Sequence, residues 1–213
     1  VIMAFSDSID KVVSVYFACV AAEPFTYKGK QYEPKQLRVS PQICRGFTCP
    51  ANCGGCCPKF SLDYIPSEAK PSTGQFRTIE FNGHKIEIFS DTQSENAGKK
   101  CKYLNTENGR CNNYVTRPFS CDFELIRFFT TNTSTNRLTQ MLFTRGWNMM
   151  RIDGERGALC SMIDANEQTK QEAIVKMQRL HEWTQHFKLQ TKLPKIIDWM
   201  KDTPYNTQTP FLI

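Results

Sequence analysis

Five cysteines, Cys44, Cys49, Cys53, Cys56 and Cys57, fall within fourteen residues that also hold Gly46, Pro50, Gly54 and Gly55. Gly and Pro interrupt that stretch too often for a helix or a strand. Something other than a backbone ladder must order it. A chain of 213 residues buries roughly 70% of its unfolded surface without covalent help, so the thiols are not needed to hold a core together. Disulfides also fit poorly. Cys56 and Cys57 are neighbours, and a bond between adjacent residues is strained. The apolar run from Val12 to Ala22 follows Asp7, Asp10 and Lys11, whereas a secretory signal begins with net positive charge. Metal ligation by thiolates is the reading left, in a reducing, cytoplasmic setting.

Which metal follows from ligand chemistry. Thiolates without nearby imidazoles suit iron–sulfur clusters or zinc. His84 lies in an expected hairpin, and His181 and His186 are five residues apart, on different faces of a helix. Zinc normally takes two C-x2-C knuckles, and here only Cys53 and Cys56 have that spacing. Cys101, Cys111 and Cys121 are each separated by nine residues. Dense irregular cysteines among glycines, whose backbone N–H groups can approach sulfur, favour an iron–sulfur cluster of the [4Fe–4S] type, with zinc the alternative. Cys49-x3-Cys53-x2-Cys56 also has the spacing of the radical S-adenosylmethionine motif. Gly55 stands where that family has an aromatic residue, and the repeated βα pattern of its barrel is missing.

The segment from Phe47 to Cys57, followed by Phe60, resembles the YkgJ-type cysteine-cluster family of zinc- or iron-chelating CxxCxxCC proteins. The first gap here is three residues rather than two. The family's second signature is matched by Cys101-Lys-Tyr-Leu104 and by Cys111-Asn-Asn-Tyr114-Val-Thr-Arg117-Pro118-Phe-Ser-Cys121. Cys160 is the counterpart of a later lone cysteine. Flagellin lysine methylases are similar in this region and are thought to carry an iron–sulfur cluster. The resemblance implies metal chelation, with Cys49, Cys53, Cys56 and Cys57 as the ligand loop and Cys101, Cys111, Cys121 and Cys160 completing one or two sites. Cys44 lies outside the matched run and stays undecided. Arg117 is expected to place positive charge beside an anionic cluster, and Tyr114 to serve packing.

The rest of the chain reads as one irregular α+β domain over 1–213, with a cysteine-cluster core at 44–160 and mainly helical flanks at 1–43 and 161–213. Ile9, Val12, Val13, Tyr16, Phe17 and Val20 share a helical face, with Cys19 at its border. Phe76 to Phe89 reads as a β-hairpin turning at Asn82-Gly83. Thr130 to Asn136 is polar and expected to be loop, and Leu138 to Ile152 a short helix or strand. Thr169 and Glu172 resemble a capping box ahead of Ala173, Ile174, Met177, Leu180, Trp183 and Phe187. Pro194 suits the first turn of a last helix.

Three functions fit: an iron–sulfur protein in electron transfer or in a redox modification with a protein partner, a metal-stabilised structural module, or an enzyme with an open iron site. A net charge of +6 with no basic block gives nucleic acid only weak support. No run is long enough to span a membrane. No G-x-G-x-x-G and no P-loop is present, so a nucleotide cradle is not expected.

Overall fold

Burial of the six residues at helical spacing builds the N-terminal helix. In the computed structural model, which describes residues 8–39, 41–48, 61–92, 101–105, 107–108, 110–122, 126–132, 137–143 and 161–213, helix α1 runs through Ser8–Lys11, Val12–Phe17 and Ala18–Val20. Its middle piece is wound in π geometry. The wider turn shifts the residues that follow, so Ala18 and Cys19 join the buried face. The flank before residue 44 is mixed rather than mainly helical, because Phe25 and Tyr27, then Leu37 and Val39, alternate in the period of a strand. They form β1 (Phe25–Tyr27), which pairs with β2 (Lys30–Tyr32), and β3 (Leu37–Val39).

A short 3-10 turn at Pro41–Cys44 leads to β4 (Gly46–Thr48). A three-stranded antiparallel sheet follows, in the order β5 (Ser61–Tyr64), β7 (His84–Thr92), β6 (Gln75–Phe81). Its hairpin turns at Asn82 and Gly83, with φ of 48° and 75°, the pair of positive values a type I′ turn requires. Next come α2 (Phe119–Asp122), β8 (Ile126–Asn132) and β9 (Arg137–Phe143). Thr130 to Asn132 thus extend a strand that the polar composition marked as loop. Their partners Thr139, Leu138 and Arg137 on β9 hold them in the ladder. β10 (Ser161–Ile163) pairs with β4, and β11 (Phe211–Leu212) adds to β3 at one edge of the sheet β11-β3-β8-β9.

Helix α3 (Glu167–His186) begins three residues earlier than the Thr169–Glu172 pattern suggests. Asn166 is its N-cap: its side chain accepts from Thr169 N at 3.0 Å, and Thr169 Oγ1 accepts from Asn166 N at 2.9 Å. Ala173, Ile174, Met177, Leu180 and Trp183 are buried along one face, with Phe187 just beyond. Helix α4 (Leu193–Asp202) opens with Pro194 in its first turn and buries Leu193, Ile196, Ile197 and Met200. The buried Lys170 ammonium closes α4 by donating to the carbonyl of Thr203 at 2.8 Å, a cation at the negative end of a helix dipole.

Aromatic rings join these elements. Phe17, Phe81 and Phe187 meet edge to face, and Phe119 lies 6.0 Å from Trp183. Rings at such offsets add to the burial energy. Phe119 carries this core into α2, two residues from Cys121.

Candidate metal centre

All four residues of β5 are buried, but their side chains alternate between two faces. Leu62 and Tyr64 lie on one face with Phe89, the cross-strand partner of Tyr64. Cys101, Tyr103 and Cys121 pack on this small apolar floor. Asp63, on the other face, is fully buried and accepts from Ile9 N at 2.8 Å, Ser90 Oγ at 2.6 Å and Ser61 Oγ at 3.0 Å. It therefore pins α1 and β7 to β5 behind the floor.

Two more buried or nearly buried carboxylates place the cysteines. Asp91, near the end of β7, accepts from Tyr103 Oη at 2.7 Å and pairs with the Lys102 ammonium. Both residues immediately follow Cys101, so this contact fixes where Cys101 sits. Glu68 Oε1 accepts from Phe119 N at 2.8 Å and from Arg179 at 3.1 Å, while its other oxygen accepts from Ile65 N at 2.9 Å. With Ser120 Oγ donating to the Asp63 carbonyl at 2.9 Å, Glu68 anchors the helix that bears Cys121. Cys111 is set by backbone alone: it bridges Leu104, and Asn112 N donates to Tyr103 O at 2.8 Å.

These contacts bring Cys101, Cys111 and Cys121 within electrostatic reach of one another. The Cys111 thiol is pushed up, first by burial and also by the negative charge of Cys101 and Cys121, against the opposing pull of the Asn113 backbone and of Arg117. All three cysteines are partly exposed. The Arg117 guanidinium stacks 3.9 Å from the ring centroid of Tyr114. Tyr114 is itself 58% exposed, and it packs against Arg117 rather than into the core. Cys44 is not part of this group. It is buried in the main core, where desolvation raises its thiol, offset by Lys170. Of the histidines, His84 is exposed and His186 bonds through its ring to the Glu87 carbonyl at 2.6 Å.

Among the described residues, no three His, Cys, Asp or Glu side chains stand close enough together to hold a metal ion. Cys49, Cys53, Cys56, Cys57 and Cys160 lie outside the described residues. The donor chemistry that is present suits part of a thiolate site: Cys101 and Cys121 on an apolar floor, and Cys111 within reach of their charges and of the Arg117 cation.

Residues 48–141 match the family model CxxCxxCC, described as a putative zinc- or iron-chelating domain. Over those residues the chain is similar to that domain. No curated protein and no solved structure matches the chain. The CxxCxxCC match takes in every cysteine from Cys49 to Cys121 and supports metal binding as the function class. Among the described residues, no helix is long and apolar enough to cross a membrane.

Around the CxxCxxCC cysteines, sequence reasoning missed the residues that do the positioning: Asp63, Glu68, Asp91 and Tyr64. Asp63 and Tyr64 carried a signal, since they alternate with Ser61 and Leu62 beside a cysteine run. Glu68 had none, because its partners Phe119 and Arg179 are distant in sequence.

Proposed function

We propose that this domain holds an iron–sulfur centre of the [4Fe–4S] type and acts as a one-electron carrier for a protein partner in the cytoplasm. The packing of Cys101 and Cys121 on the Leu62–Tyr64–Phe89 floor, with Cys111 within reach of both their charges, is the observation that carries this reading. Cys49, Cys53, Cys56, Cys57 and Cys160 are assigned to the same centre or to a second one. When bound, such a centre takes one electron from a reduced one-electron donor and returns it to an oxidised acceptor, with no bond made or broken. The chain supplies the apolar floor and, near Cys111, the Arg117 cation, and positive charge near a cluster raises its potential.

The test is iron and acid-labile sulfide in anaerobically purified protein, followed by redox titration. The expected result is a brown protein that cycles reversibly and whose midpoint falls in Arg117→Gln with iron retained. Colourless protein carrying stoichiometric zinc replaces this reading with a structural module.

A further inference from the structure

The sheet β5-β7-β6 has two edges, and among the described residues only one of them is covered. Along β5, Ser8 Oγ donates to the Ser61 carbonyl, and Ser120 Oγ to the Asp63 carbonyl at 2.9 Å, so α1 and α2 close that side. The other edge is β6. Phe81 and His84 flank the hairpin turn and exchange both backbone hydrogen bonds, so Ile79, Arg77 and Gln75 also face β7. The N–H and C=O groups of Phe76, Thr78 and Glu80 therefore point outward. Asn82 shares their direction, and its N–H donates to the Thr26 carbonyl at 2.8 Å, which closes the turn end. Among the described residues, Phe76, Thr78 and Glu80 have no backbone partner on that side, and all three are exposed. Neither a bulge nor a proline guards this edge, since the register runs unbroken from Gln75 to Phe81. Beside Glu80 it opens on a cleft of about 390 Å³, bounded on the far side by Lys28 and Gly29.

We propose that this edge joins a second copy of the chain, β6 pairing antiparallel with its own copy about a twofold axis at Thr78. Such an axis sets residues of one sheet face opposite each other, so the possible registers differ by which residue lies on it. With Thr78 there, Thr78 meets Thr78, Phe76 meets Glu80 on both sides, and the outward N–H and C=O groups of all three are paired. The Lys70 ammonium lies 5.9 Å from the Phe76 ring centroid and donates to the Pro66 carbonyl at 2.7 Å. It thus stands beside the opposite Glu80, which has no ion pair among the described residues. An axis at Arg77 instead sets that cation against its own copy, and like charges directly opposite are destabilising. An axis at Ile79 brings the opposite Phe76 onto Asn82, whose N–H is already taken. The cleft leaves room for the second strand at the Glu80 end. The contact is isologous and closes on itself. Phe76 also packs edge to face on Phe89 at 5.2 Å, and Phe89 belongs to the floor beneath Cys101 and Cys121. A twofold axis normal to the sheet keeps both floors on the same face of the joined sheet.

Sedimentation velocity on the full chain, purified with its metal, reads the assembly directly. The expected result is a species of twice the chain's mass at micromolar concentration. Thr78→Pro removes the N–H at the axis and leaves the β6–β7 ladder intact, because that group faces away from β7. This variant should sediment as a monomer with an unchanged circular dichroism spectrum. Charge reversal tests the register without touching the backbone. Glu80→Lys and Lys70→Glu should each weaken the dimer about tenfold, and the double variant should restore it. A monomer at every concentration of the unaltered chain would overturn the proposal. So would a Thr78→Pro variant that folds and stays dimeric, or a double variant no tighter than the single ones. If Thr78→Pro does not fold, the charge-reversal set decides alone. Zinc in place of iron removes the electron-transfer reading and leaves every arm of this test intact.

Discussion

The two halves of this molecule are held by different physics. Around Trp183, Phe187, Phe17 and Phe81, order comes from burial: rings and aliphatic side chains from α1, α3, α4 and the β6–β7 hairpin close on one another with almost no exposure. Under Cys101 and Cys121, the buried floor among the described residues is Leu62, Tyr64 and Phe89. Order there comes from carboxylates aimed at specific N–H and O–H groups. A burial-built region tolerates imprecise contacts and loses stability in proportion to volume removed. A region built on buried acceptors depends on single atoms, since one lost partner strands a desolvated group. Metal ligands need the second kind of control, because thiolate positions must be right to a few tenths of an ångström.

The largest effect should come from the burial-built half. Trp183 is fully enclosed and stacks on Phe187 at 6.1 Å. Trp183→Ala should cost about 3–5 kcal/mol, enough to unfold a domain of ordinary stability. Thermal unfolding followed by circular dichroism should show one transition moved sharply down, with metal lost along with the fold. A variant that keeps its metal while the helices melt would show the two halves to be separate folding units and would break the comparison.

Glu68 is the sharper test, because it sits where the halves meet. Glu68→Ala leaves Phe119 N and Ile65 N without acceptors and Arg179 without its carboxylate. A cost of about 2–4 kcal/mol follows from stranded donors and a broken, nearly buried ion pair. Metal retention should fall by more than the stability loss alone explains, since the α2 backbone that carries Cys121 loses its anchor. Glu68→Gln keeps an acceptor and should recover much of both. Equal metal content in Glu68→Ala and the unaltered chain would mean that Phe119 packing alone places Cys121.

How much of this was legible in the chain follows the same division. The α1 face, the Asn82-Gly83 hairpin and the face of α3 were readable because each is a local period or turn: 3.6, two residues, or a pair of positive φ values. The cysteine signatures named the chemistry, and 48–141 matches the CxxCxxCC domain. What could not be read was the placement of those cysteines. Glu68 reaches Phe119 across 51 positions and Arg179 across 111, and no local pattern encodes such a contact. The start of α3 was misplaced for a smaller reason. Asn166 and Thr169 cap it reciprocally, whereas Thr169 with Glu172 looked like the more familiar pairing.

The smallest effect expected is at Cys19, and it decides whether thiol content alone marks a ligand. Cys19 is completely buried on α1, far in character from the partly exposed Cys101, Cys111 and Cys121. Desolvation pushes its thiol up to about 12 from the ordinary 9.0, with Lys35 and Lys192 pulling the other way. A thiol protonated across the neutral range is a poor nucleophile and behaves as a small hydrophobe. In metal-free protein at pH 8, iodoacetamide should label Cys101, Cys111 and Cys121 and spare Cys19, as mapped by peptide mass spectrometry. Cys19→Ala should cost about 1 kcal/mol with metal content unchanged. Cys19→Ser should cost slightly more, since it buries a hydroxyl. The pH dependence has a definite sign. Because the folded value lies above the unfolded one, the contribution of Cys19 is complete below pH 9 and is lost as pH rises toward about 12. Lys192, whose ammonium is pushed down by burial, sheds its own cost of charge over the same alkaline range, so the comparison must be made against Cys19→Ala. That variant should lose less stability than the unaltered chain between pH 9 and 11. Metal loss in Cys19→Ala would instead place Cys19 among the ligands and erase the distinction between the burial-built and acceptor-built halves.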